Sequence, residues 1–171
     1  QAVEWGRQAM IESGLERVHL QPVLVPHWER GGAETVILIA DGKAEQLRGL
    51  ALGGSVATPP EGITAGVIEV RSIAEVAGLG ERARGNIIFF NRPMDPKLIN
   101  TFDAYSGAVD QRVNGPVAAA RAGAVAVLVR SITTAMDTIP HTGMLRYNDS
   151  VTKIPAVAIS TVDAEHLSQT L

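Results

Sequence analysis

The chain has 171 residues, of which 46% are hydrophobic and 19% charged, with a formal net charge of −3; this suits one domain with a core and excludes a disordered segment. A mildly acidic chain with only 4% aromatic residues lacks the basic footprint of a nucleic-acid binder and the stacking platforms that bases need. With no cysteine, disulfides, thiolate metal sites and a cysteine nucleophile are excluded, and the longest apolar run, 124–129, is too short to span a bilayer.

The first segment, QAVEWGRQAM, lacks a starting Met and is already in helical rhythm. It suggests a piece of a longer protein, with any export signal upstream. Ala2, Trp5, Ala9 and Met10 recur at helical spacing, so 2–13 reads as an amphipathic helix with Gly14 at the cap position. RVHLQPVLVP alternates and reads as a strand, placed at an edge by Pro22. HWERGG is a connector. ETVILIAD is a strand, and Asp41-Gly42 signals a tight turn. LRGLALGG is a weaker strand, TPPEG a turn, and ITAGVIEV a strand. Ser72 and Glu75 have capping-box spacing, which starts a short helix at Ile73.

NIIFF, 86–90, is a buried strand; Pro93 and Pro96 then break the pattern, and 97–113 fits no single template. GPVAAARAG is a helix with Asn114 as its cap, Pro116 in the first turn and Gly123 as its stop. AVAVLVR is a buried strand. A loop of roughly 20 residues, 131–153, follows, a length that marks a functional or mobile segment. IPAVAIS closes the sheet, and TVDAEHLSQTL starts a last helix capped by Thr161. The sum is a β-rich α/β fold.

Four patterns invite a chemical reading. Gly78-Leu-Gly80-Glu-Arg-Ala83 matches a loose dinucleotide motif, but that motif needs a strand before it and a helix after it, and the order here is reversed. Gly53-Gly54-Ser55-Val56-Ala57 resembles a nucleophile elbow, yet ends in Ala57 and runs into TPP; a triad would also need His141 or His166. The histidines, 19, 27, 141 and 166, are isolated, and only Asp163 and His166 have a spacing that two ligands can use on a helix. His27-Trp28-Glu29-Arg30 places an aromatic residue in a connector, either as a partner anchor or as the plug of a domain junction. Asn148-Asp149-Ser150 is a glycosylation sequon, relevant only in a eukaryotic secretory pathway.

RGNIIFFNRPM, then GPVAAARAGAVAVLVRS, then IPAVAIS with VDAEHL resemble a protease-associated domain. VPHWERG, LALGGSVATPPEGITA and above all PHTGMLRYNDSVTKIPA resemble the carboxypeptidase Q (plasma glutamate carboxypeptidase) family of zinc metallopeptidases, in which such a domain is inserted into the catalytic domain. The resemblance covers nearly the whole chain. It implies a swivelling β/β/α fold, with short helices flanking a sheet or open barrel. It divides the chain into 1–25, leading from the catalytic domain, 26–160, the protease-associated domain, and 161–171, the start of the return.

It further implies a secreted, periplasmic or cell-surface exopeptidase whose two zinc ions and catalytic residues lie outside this chain. No catalytic or metal-binding residue carries over. The expected partners are its own catalytic domain, the peptide substrate and a second copy in a homodimer, with no nucleic acid and no membrane span. His141, Arg146, Tyr147 and Trp28 are the candidates for shaping substrate access or the domain interface. A stand-alone interaction module without peptidase activity is the alternative reading.

Overall fold

A computed structural model describes all 171 residues as a mixed α/β fold. The central sheet has five strands in the order β3-β7-β6-β5-β4: β3 is Gly49–Ala51, β4 Val67–Val70, β5 Ile87–Phe90, β6 Ala126–Arg130 and β7 Ala156–Ile159. β4 to β7 are mutually parallel, and β3 joins β7 antiparallel. A hairpin of β1, Val36–Ala40, and β2, Lys43–Leu47, forms a second sheet. Asp41 and Gly42 both have positive φ, 50° and 73°, the geometry of the two-residue turn that matches strand twist.

The parallel strands read as unbroken apolar runs because both faces of the sheet are covered. Side chains alternate between two cores. Ile88, Phe90, Val127, Val129, Ala156 and Ala158 meet Val76 of α2, Ile73–Leu79, and Ala119 of α5, Gly115–Arg121. Phe89, Leu128 and Ile159 meet Ala164 and Leu167 of α6, Thr161–Thr170, together with Leu47 of the hairpin. A third cluster, Met94, Ala104, Ala108 and Ile132, is built by the segments that leave β5 and β6.

The Ser72 capping box forms: its Oγ accepts the Glu75 N–H at 3.1 Å, and Glu75 accepts the Arg71 N–H at 2.8 Å. Several expectations need correction. RVHLQPVLVP is not a strand; Leu20, Val23, Leu24 and Val25 are exposed there, and no other strand pairs with it. Helices hold more residues than strands, so the fold is not β-rich. The stretch 97–113 accounts for much of this, folding into α3, Thr101–Ser106, and α4, Asp110–Val113. The five-stranded sheet is open, with β3 and β4 as edges, and does not close toward a barrel.

Asn114 makes no side-chain cap bond, because α4 runs almost directly into α5 and the residue is itself helical. Ser160, not Thr161, caps α6: its Oγ accepts the Asp163 N–H at 3.0 Å. The first helix, α1, spans Ala2–Glu12 and buries none of its residues.

Candidate functional site

The long connection between β6 and β7 contains a strap, 141–147, that is tied down at almost every residue. The His141 N–H donates to Ser131 Oγ at 2.7 Å, and the Thr142 hydroxyl donates to the Ala51 carbonyl at 2.9 Å. Gly143 accepts from Gly53 N–H at 2.9 Å, and Leu145 N–H returns to the Gly53 carbonyl at 3.0 Å. Arg146 N–H donates to the Val113 carbonyl at the end of α4 at 3.0 Å. The Tyr147 hydroxyl accepts from Val56 N–H at 3.1 Å and donates to the Ile154 carbonyl at 2.5 Å, while its ring packs on the main core. The strap is thus ordered by the end of β3, by α4 and by the core, which fixes where its free side chains stand.

The strap side chains that stand out from the core are His141, Met144 and Arg146. His141 is half-buried, with Nε2 3.2 Å from Asp137 Oδ2. The Ile139 N–H and then His141 hold the Asp137 carboxyl below the ordinary carboxylate range. Arg146 is exposed, and no carboxylate lies within ion-pair distance of it.

Beneath the strap lies a residue that the sequence reading did not single out. Arg112 of α4 is only 8% exposed. Its Nη2 donates to the Tyr105 hydroxyl, and its Cζ stands 5.4 Å from the centre of the Tyr105 ring. On the other side it presses on Gly143, where a methyl group would lie 2.5 Å from Cζ and 2.8 Å from Nε. Only a glycine leaves room for this approach. Tyr105 and Arg112 are seven residues apart but sit on two short helices, α3 and α4, separated by a turn at 107–109. No sequence pattern pairs the two residues, because the stretch 97–113 fits no single helical template.

The remaining candidates have structural partners. Trp28 Nε1 donates to the Ser55 carbonyl at 3.0 Å, and Arg30 stacks 5.1 Å from the Trp28 ring centre. Arg30 also reaches Glu34 at 2.6 Å and the Ala51 carbonyl at 2.8 Å. Burial pushes the Glu34 carboxyl up, but the Ala51 N–H and Arg30 outweigh it and the net direction is down. Trp28 therefore heads a clasp that holds the connector against the end of β3.

Ser55 Oγ donates to the Val56 carbonyl at 3.0 Å and accepts from Ala156 N–H at 2.9 Å, with no histidine bonded to it. His166 pairs with Glu45 at 2.7 Å. Asp163, the other half of the two-ligand spacing, is buried and accepts from the Arg48 N–H at 2.8 Å and from the Ser160 hydroxyl at 2.7 Å. Three or more His, Asp or Glu side chains nowhere gather into a set able to hold a metal ion. No helix is long and apolar enough to cross a membrane.

No family model matches the chain. Carboxypeptidase Q from Homo sapiens and from Bos taurus are each 42% identical to it over 168 residues, covering 98% of this chain and 34% of theirs. The crystal structure of a peptidase M28 precursor from Shewanella amazonensis SB2B superposes with a TM-score of 0.86 at 36% identity, covering 98% of this chain and 37% of that one. The chain thus spans about a third of the length of these relatives.

Proposed function

Because this chain is homologous to one segment of the carboxypeptidase Q-like M28 peptidases, we propose that it is the protease-associated, non-catalytic part of an exported zinc-dependent exopeptidase. Its work there is to shape substrate access and to recognise peptide. The observation that carries the reading is the match of 98% of the chain to about a third of a peptidase. The residues present do not assemble a metal site, so no step of hydrolysis is assigned to them. When bound in the catalytic domain, zinc supplies an activated water and a polarised carbonyl.

This chain contributes a rigid scaffold and a strap that starts near the carboxyl end of β6 and runs beside β3 to the amino end of β7; loops held on such a scaffold are a usual location for binding contacts. His141, Arg146 and the strap backbone face the substrate or the catalytic domain, Tyr147 anchors the strap from within, and Trp28 fixes the connector from the catalytic side. Residues 1–25 lead from that domain, 26–160 form the unit, and 161–171, which pack as α6 on its second core, begin the return.

The test is to measure zinc content and dipeptide hydrolysis of the purified 171-residue chain with zinc supplied. The expected result is neither stoichiometric zinc nor turnover. Tight zinc with turnover overturns the accessory reading.

A further inference from the structure

Three arginines, 92, 112 and 130, each bury an Nε without an acceptor. Two of them have a carboxylate elsewhere on the guanidinium: Arg92 pairs with Asp110, and Arg130 reaches Glu165 at 2.6 Å and Asn91 at 3.2 Å. Arg112 has none. Its one hydrogen-bond partner is the neutral hydroxyl of Tyr105. A guanidinium does not lose its proton in a protein, and a buried charge without a counter-charge is costly. Nε is sealed, Nη2 is engaged by Tyr105, and Nη1 has no hydrogen-bond partner and is not sealed. The Tyr105 ring on one side and the Gly143 backbone on the other hold the guanidinium plane in a fixed slot.

The neighbouring segment adds a second arginine, and neither arginine has an ion-pair partner. Arg146 N–H is bonded to Val113, the residue next to Arg112. The Arg146 side chain is exposed, and it too lacks an ion-pair partner. The nearest acid along α4, Asp110, is already paired with Arg92. The Gln111 side chain brackets the Arg92 backbone just after β5, accepting its N–H at 3.1 Å and donating to its carbonyl at 2.8 Å, so α4 is fixed at the carboxyl end of that strand. Two arginines on adjoining segments, one of them immobilised with its Nη1 free, suit an incoming carboxylate, which accepts charge-assisted hydrogen bonds from guanidinium N–H groups.

We propose that Arg112, supported by Arg146, binds a carboxylate presented from outside the chain, and that its source is the terminal carboxylate of a short peptide. The carboxylate site stands on the geometry. Its assignment to a peptide rests on the accessory-domain reading and fails separately from it.

The experiment is a nuclear magnetic resonance titration of the 171-residue chain, following the Arg112 Nε–H and the Gly143 amide. The probes are an N-acetylated dipeptide with a free carboxylate, the same peptide as its terminal amide, and acetate. The expected result is saturable shifts with the acid and none with the amide, and binding weakened roughly tenfold or more by Arg112→Met. Acetate binding as tightly as the peptide acid supports the carboxylate site but moves its source from a peptide to any carboxylate, including an acidic side chain of another segment. Equal shifts from acid and amide, or no shift at Arg112 or Gly143, overturn the proposal using the unaltered protein alone. Shifts that persist in a folded Arg112→Met variant overturn it as well.

Discussion

Tyr147 carries two bonds on a single oxygen, one to the distant Val56 N–H and one to the Ile154 carbonyl, and so joins the 56–65 segment, the strap and the entry to β7. Removing that oxygen leaves a backbone donor and an acceptor without their partner. Tyr147→Phe is therefore expected to lower stability by about 1–3 kcal/mol, read as a lower urea midpoint with an unchanged slope. A midpoint equal to wild type would mean that water replaces both bonds.

The position of Tyr147 in a chemically dense loop is legible in the sequence. Its orientation is not, because a partner 91 residues away has no local signature. Arg112 shows the opposite case. Its partner Tyr105 is only seven residues away, but a turn at 107–109 separates their two helices, so no single helical period joins them.

At the scale of elements, the start of α6 joins three parts of the molecule. Ser160 caps the helix through Asp163 N–H, and the Asp163 carboxylate accepts from the Ser160 hydroxyl and from the backbone N–H and side chain of Arg48, between β2 and β3. Asp163→Ala removes the acceptor from the Arg48 N–H and weakens the cap together. The expected loss is about 2–3 kcal/mol, measured by urea unfolding. Asp163→Asn, which keeps an acceptor of the same shape, is expected to lose less. Equal losses would show that the charge, rather than the hydrogen-bond geometry, holds this corner.

The parallel strands were legible because apolar runs bounded by turn residues are a local property. The same holds for the Asp41-Gly42 turn and the Ser72 box. The strand expected at 17–26 was not a sound reading. Alternation there says only that one side is apolar, and a strand also needs a neighbour to hydrogen-bond. The cap expected at Asn114 failed for a related reason. A polar residue before a helix caps it only if the chain is not already helical, and α4 makes it so.

At the scale of the molecule, the two cores and their five-stranded sheet form one body, while α1 and the connector that follows stand apart from it. Trp5 is 74% exposed and Leu24 is fully so, and no residue of α1 is buried. An isolated helix of 11 residues is marginal in water, since most helical stability in proteins comes from packing an apolar face. The first firm tether is the Trp28 clasp to Ser55.

The amides of 2–12 are therefore expected to exchange far faster than those of β5 and β6, which are paired on both sides. Deleting residues 1–25 is expected to shift the stability of the remainder by no more than about 0.5 kcal/mol, the range of changes made away from buried contacts. Strong protection of α1, or a loss of several kcal/mol on deletion, would show that this helix docks on the body in solution. The proposed division at residue 25 would then have to move toward the amino terminus.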